Sequence, residues 1–251
     1  MSMYETDEPH VAFFRPNDER AERAAETLRG LGATPVSDPM LAVEPTGELP
    51  REDGDFAVLT SKTGVEIAAD AGWSPSGEIV AIGSATAGAL ETAGYEVDRI
   101  PAEYTSSGLV SDLRGTVDGS RVEVARSDHG SAVLTDGLEA AGSYVHETIL
   151  YRLVRPDGAG KSGRMAADGE LAGVCFTSSL TVEHFLEAAA EQGIRRSAID
   201  GLTDAVVGAI GDPTRNTAEE SGIDVDVVAE TATFDALARA VVDECLNSRA
   251  Q

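Results

Sequence analysis

Small hydroxyl-bearing residues recur in this chain at one kind of place, where a short apolar run gives way to an amphipathic one. Thr60-Ser61 follow Phe56-Ala57-Val58-Leu59, and Thr177-Ser178-Ser179 follow the apolar run 171–176. Ser84-Ala85-Thr86 follow Ile79-Val80-Ala81-Ile82 and Gly83, Asp212-Pro213-Thr214 follow the run 205–210 and Gly211, and Thr105-Ser106-Ser107 open another helix-like stretch. Each places a hydroxyl or bare backbone amides at a helix start, where the first N–H groups lack intrahelical partners and the helix dipole favours negative charge. Taken singly, each is accounted for by an ordinary N-cap. Taken as a set, repeated in both halves of the chain, they suit a ligand that carries several separated anionic groups. Both readings stay open at this level.

Other chemistries find little support. His10, His129, His146 and His184 are scattered without the spacing of metal ligands. After Val80-Ala81-Ile82 stands a single glycine, so neither a dinucleotide fingerprint nor a phosphate-binding P-loop is present. Ser178 and His184 fall on one expected helix and lack the nucleophile elbow of a serine hydrolase. Cys175 and Cys245 sit in apolar patterns and read as small core residues.

Charge narrows the partners. The chain has 44 acidic against 19 basic residues, a net charge of −25, and its only lysines are Lys62 and Lys161. Such a balance argues against nucleic acid. The acids are spread without a block of five or more, so they read as solvated helix faces, and the scarcity of lysine fits a surface adapted to concentrated salt. No run of eighteen apolar residues exists, and the N-terminal residues lack the basic and apolar regions of a signal peptide, so a cytoplasmic protein without a membrane segment is expected.

The elements that must position these residues alternate between short strands and amphipathic helices, the pattern of a parallel α/β protein. Val11-Ala12-Phe13-Phe14 reads as a buried strand, followed by a helix whose apolar face is Ala21, Ala24, Ala25, Leu28 and Leu31. The stretch 155–163 has loop composition and is expected to be a flexible junction. Laying one half of the chain over the other reveals a repeat. Arg15 parallels Arg126, Thr60-Ser61 parallel Thr177-Ser178, and the turn Ile82-Gly83 with Thr86 parallels Ile210-Gly211 with Thr214. Gly94 and Gly222, then Thr105 and Thr233, keep that last register. Three matches in the same order mean duplicated lobes, and a repeat near half the chain length excludes a solenoid.

Taken in order, Arg15-Pro16, Thr60-Ser61, Ile82-Gly83-Ser84-Ala85-Thr86-Ala87, Arg126, Tyr151, Thr177-Ser178-Ser179 and Ile210-Gly211-Asp212-Pro213-Thr214 resemble the motif series of the uroporphyrinogen-III synthase family over nearly the whole chain. Phe14 and Arg215 depart from that pattern, where many relatives carry threonine and a small residue. The resemblance implies two similar α/β lobes, each a parallel sheet flanked by helices, joined by a two-stranded antiparallel hinge. One lobe is expected from 1–37 with 156–251 and the other from 45–149, with connecting strands at 38–44 and 150–155.

The resemblance also implies hydroxymethylbilane, a flexible linear polycarboxylate tetrapyrrole, as substrate. It would be cyclised with loss of water and inversion of ring D to uroporphyrinogen III, with no metal or organic cofactor. The residues expected to meet its carboxylates are Arg15, Thr60, Ser61, Ser84, Thr86, Thr105, Ser106, Arg126, Thr177, Ser178, Ser179 and Thr214. Tyr151 matches the tyrosine to which the family's proton assistance is ascribed; as a residue alone it reads as part of an amphipathic strand. The protein is expected to act as a monomer, with neither nucleic acid nor membrane as partner. A non-catalytic two-lobed module binding a small polyanionic ligand is the competing expectation, and it predicts binding without turnover.

The acid excess generates a first prediction. Self-repulsion of a −25 chain is strongest where screening is weakest. Tm measured by calorimetry should therefore rise between low and molar salt; a flat or falling Tm over that range would remove the high-salt interpretation.

Overall fold

The computed structural model describes residues 8–249. In chain order the elements are β1 (His10–Phe13), α1 (Glu19–Gly30), β2 (Thr34–Ser37), β3 (Ala42–Pro45), β4 (Phe56–Leu59), α2 (Lys62–Asp70) and β5 (Glu78–Ala81). There follow α3 (Ser84–Thr92), α4 (Ser106–Leu113), β6 (Arg121–Ser127), α5 (Ala132–Ala140), β7 (Tyr144–Val154), α6 (Lys161–Ala167), β8 (Gly173–Phe176) and α7 (Ser179–Glu191). The last are α8 (Arg195–Leu202), β9 (Val206–Ala209), α9 (Asp212–Glu220), β10 (Val227–Val228) and α10 (Phe234–Arg249). The chain divides into two compact units, Met1–Ala42 with Val154–Gln251, and Val43–Leu153.

In the first unit the strand order is β10-β9-β8-β1-β2, and every pairing is parallel. Parallel strands need crossover helices, which cover both faces of the sheet, so the strands read as continuous apolar runs rather than alternating ones. β8 and β9 are buried at every residue. The pleat still sorts their side chains: Ala12, Phe14, Val174 and Phe176 pack under α6 to α9, while Val11, Phe13 and Cys175 pack under α1 and α10. Phe14, Phe176 and Phe185 form the aromatic centre of the former layer, with ring centroids 5.0–5.9 Å apart. Helix α1 forms where Asp18 accepts from the Arg20 N–H and Glu19 and Glu22 fill the first turn, and it buries Ala21, Ala24 and Leu28.

The second unit has strand order β3-β7-β6-β4-β5, with β5, β4, β6 and β7 mutually parallel. Ala57 and Leu59 face α2 and α3, whereas Phe56 and Val58 face α4 and α5. Sheet register makes the repeat residue-specific. Phe13 lies between Cys175 and Ser37 as Val124 lies between Val58 and Glu147, so β1 and β2 correspond to β6 and β7, and Ser37 occupies the position of Glu147. One repeated feature escaped the sequence reading. Asp98 accepts from the Ile79 N–H at 2.7 Å and Asp226 from the Val207 N–H at 2.8 Å, each carboxylate serving the edge of a strand that carries no full neighbour there.

Two expected features differ in detail. The stretch 155–163 is not loop throughout, because α6 begins at Lys161. Its N-terminus is capped from a distance: the Asp38 carboxylate, 2% exposed, accepts from the Gly160 N–H at 3.1 Å, the Ser162 N–H at 2.8 Å and the Ser162 hydroxyl at 2.5 Å. Gly160 sits at φ 113°, a conformation other residues adopt rarely, and a Cβ there would strike Gln192. The second difference concerns 38–44 and 150–155. Residues 38–41 stay with the first unit through Asp38 and a 2.6 Å bond from His184 Nδ1–H to the Met40 carbonyl. β3 and β7 are neighbours at the edge of the second sheet, where the Thr46 N–H donates to the Leu150 carbonyl at 3.0 Å.

Asp38→Ala leaves two backbone N–H groups of α6 buried without acceptors. Each such loss costs about 1–3 kcal/mol, so urea unfolding at fixed high salt should show a destabilisation of roughly 3 kcal/mol. A loss within experimental error of zero would mean that α6 is capped by other means.

Candidate functional site

All parallel strands of one unit end on the same side of their sheet, and the helices that follow begin there. In the second unit that edge carries the starts of α2, α3 and α4. Ser61 caps α2, its Oγ accepting from the Gly64 N–H at 3.0 Å, and Thr105 caps α4 by accepting from the Gly108 N–H at 3.0 Å. Gly83 precedes α3 with no side-chain cap, so the first amides of α3 have no side-chain acceptor at that position. A Cβ on Gly83 would lie 2.9 Å from the Tyr104 ring, which rests on this turn and is itself 59% exposed. Tyr104 was not singled out from sequence; only the tertiary fold brings it over a turn twenty-one residues away.

In the first unit the corresponding starts belong to α7, α9 and α10. Ser178 and Thr181 form a reciprocal capping box on α7. Gly211 precedes α9, again with no side-chain cap, and the Thr233 hydroxyl accepts from the Ala236 N–H at 3.3 Å. The fold joins the first two starts: Ser179 Oγ donates to the Pro213 carbonyl at 3.1 Å and accepts from the Thr217 hydroxyl at 2.8 Å. Arg215 is bound to Asp212 at 2.9 Å, so its departure from the family pattern is absorbed within the first turn of α9.

The expected site residues therefore separate by environment. Ser61, Thr105 and Ser178 are helix caps, and Ser179 bridges two helix starts. Ser84 is exposed, while Thr60, Ser106 and Thr177 stand half-buried beside the caps. Thr86 and Thr214 are 4% and 3% exposed and face inward from α3 and α9. Tyr151 is 6% exposed, and its hydroxyl donates to Ser61 Oγ at 3.0 Å, tying β7 to the start of α2.

The duplicated arginines have diverged. Arg126, 5% exposed, donates through Nε to Glu147 and through Nη1 to the Ser131 carbonyl at 2.6 Å. Arg15 has no such acid, because Ser37 stands in Glu147's place. Its Nε is buried without a hydrogen-bond partner, its guanidinium lies 5.3 Å from the centre of the Phe234 ring, and burial lowers its pKa from the ordinary arginine value. Among the described residues no group of three or more histidine, cysteine or acidic side chains could hold a metal ion. No described helix is long and apolar enough to cross a membrane.

Together these features define a class: a duplicated α/β protein whose sheets carry hydroxyls, uncapped helix starts and an arginine at their carboxyl edges. Comparison with known proteins makes the class specific. Residues 22–239 match the family model described as uroporphyrinogen-III synthase HemD. A candidate uroporphyrinogen-III synthase of Methanothermobacter thermautotrophicus is 31% identical over 230 residues, covering 85% of this chain and 90% of that protein. In fold, the chain is similar to a uroporphyrinogen III synthase mutant of Thermus thermophilus, with TM-score 0.68 and 20% identity over 96% of this chain and 99% of that one. It is similar also to uroporphyrinogen-III synthetase of Helicobacter pylori, with TM-score 0.61 and 14% identity over 96% and 98% of the two chains. The chain belongs to the uroporphyrinogen-III synthase family, and uroporphyrinogen-III synthesis is the function these matches support.

The contrast between the arginines generates a prediction of stability. Arg126→Gln breaks a buried bond to a carboxylate that is about one-third exposed, so solvent screening limits the loss to about 1–3 kcal/mol. Arg15→Gln removes a cation–π contact alone and should cost about 0.5–1 kcal/mol. Chemical denaturation of the two variants side by side checks the order, and equal losses would contradict the divergence.

Proposed function

We propose that the chain is a lyase that cyclises hydroxymethylbilane to uroporphyrinogen III. The terminal hydroxyl leaves as water, the resulting azafulvene is attacked within the same chain, and a spiro-type rearrangement inverts ring D. The observation that carries this reading is the repeated placement of uncapped or hydroxyl-capped helix starts on the carboxyl edge of each sheet, in a chain of this family. Such ends bind carboxylates through N–H groups and the helix dipole without requiring net positive charge.

On this reading the protein's main contribution is conformational. The linear substrate closes unaided to a symmetric isomer, so selectivity requires holding its ends in one arrangement. Ser61, Thr105, Ser178 and Ser179, with the amides after Gly83 and Gly211, are assigned to carboxylate binding, beside Thr60, Ser84, Thr86, Ser106, Thr177 and Thr214. Arg15 and Arg126 are assigned the same role, Arg126 through its effect on local potential. Tyr151 is assigned proton assistance to the departing hydroxyl; in this structure its own hydroxyl donates to Ser61 Oγ. The acid excess supports a concentrated-salt cytoplasm as the setting and a monomer as the working form.

The deciding measurement is isomer composition. Protein incubated with freshly generated hydroxymethylbilane should yield predominantly the type III isomer after oxidation; an unchanged type I product at saturating protein would leave only the non-catalytic module. Tyr151→Phe should lower kcat with KM nearly unchanged. The loss should fall below the roughly 100-fold that marks the lower end of general acid assistance, because the leaving group departs readily. Full kcat and selectivity in the variant would make Tyr151 a packing residue.

A further inference from the structure

The first unit contains a cleft of about 590 Å³ whose lining includes Arg15, Arg20, Arg23, Thr27, Thr233 and Phe234. Three arginines converging here stand out in a chain with 19 basic residues against 44 acidic ones. Arg20, Arg23 and Thr27 recur at the spacing of one helical face on α1, so the helix presents them as a ridge. Arg15 enters from the end of β1, and Thr233 marks the start of α10.

The state of each group shows what the cleft lacks. Arg20 is held by Asp18 through Nε at 2.9 Å and Nη2 at 2.6 Å, which orients the ridge. Arg23 is exposed and makes no ion pair among the described residues. Arg15 Nε is buried and unsatisfied, and the position from which Glu147 serves Arg126 in the other unit is here Ser37. Two carboxylates also line the cleft. Glu26 is exposed, and Asp235 accepts from the Thr27 hydroxyl at 3.2 Å. With Arg20 already bound to Asp18, the groups left facing the cleft are Arg15 and Arg23, beside Glu26 and an Asp235 that is engaged by Thr27. A buried donor without a partner costs free energy that an incoming anion recovers.

We propose that this arginine-lined cleft is a carboxylate-binding site in which Arg15 and Arg23 hold one carboxylate arm of the substrate, an assignment that rests on the synthase reading above. The planar guanidinium donates two parallel N–H bonds, a geometry matched to carboxylate. Thr233 adds a hydroxyl, and Phe234 supplies an apolar wall for the carbon arm. The duplication thus diverged in role. One arginine is bound to an acid of its own unit, and its counterpart has Ser37 in that acid's place.

The test uses the whole protein at one fixed concentration of potassium chloride, with citrate as a tricarboxylate probe. Arg23→Gln, an exposed position that leaves folding intact, should raise KM for hydroxymethylbilane on the order of tenfold with kcat little changed, the signature of lost uniform binding. Citrate should inhibit wild type competitively and the variant correspondingly less. Arg15→Gln should behave alike, with a calorimetric melt confirming that it is folded. Wild type that makes type III isomer while both variants retain KM and citrate inhibition overturns the site and leaves the function standing. Wild type that makes no type III isomer overturns the functional reading; citrate binding by calorimetry, present in wild type and lost in Arg23→Gln, would then still uphold the carboxylate site, and its absence would overturn that too.

Discussion

The constraint from which the rest of the structure follows is the parallel pairing of strands. A parallel neighbour can be reached only by a crossover, so every strand of β8-β9-β10 and β4-β5 is followed by a return over one face of the sheet. Burial of both faces makes the strands apolar throughout, as in Phe56–Leu59 and Gly173–Phe176. It also directs all strand-to-helix junctions to one edge. Within each unit the helix starts, α2 and α3 in one and α7 and α9 in the other, are thus brought to one edge of their own sheet by topology, and the caps Ser61 and Ser178 refine an arrangement the fold already imposes.

On the proposed reading, this arrangement reconciles a strongly acidic protein with a polycarboxylate substrate. Backbone N–H groups and helix dipoles act at short range, where they outweigh the distant and screened surface acids. The arginines are engaged in distinct ways. Arg126 secures β6 to β7 through Glu147, Arg155 is bound to Glu191, and Arg15 is kept half-buried over Phe234.

Duplication shows which features each unit requires for its own stability. Asp98 and Asp226 perform the same service to the edges of β5 and β9, and Gly83 and Gly211 open α3 and α9 with the same extended backbone. Where the units differ, the difference falls on individual side-chain contacts. Tyr104 rests on Gly83 whereas Gly211 meets only Pro213, and Asp38 of β2's extension corresponds in register to Thr148 of β7. Asp38 caps α6, whereas Thr148 donates to the buried Glu123 carboxylate, which also bonds His146.

By itself the sequence determined the central strands and their duplication, though not β2, α8 or β10. Apolar runs of four to six residues bounded by turn residues are too short for typical helices and read as buried strands, and hydroxyls at their ends can be read as helix starts because the capping interaction is local. The paired motifs also placed Arg15 with Arg126, Ser61 with Ser178 and Thr86 with Thr214, and carried the family resemblance. Only the tertiary structure decided what those residues do. Whether a hydroxyl caps its own helix, as Ser61 does, faces the interior, as Thr214 does, or bridges to another helix, as Ser179 does, depends on neighbours distant in sequence. The joining of β1 to β8 across 160 residues, the capping of α6 by Asp38, the seating of Tyr104 on Gly83 and the unpaired state of Arg15 are likewise set by contacts between remote segments. Periodicity reports which face of an element is buried; it carries no information about which other element covers that face.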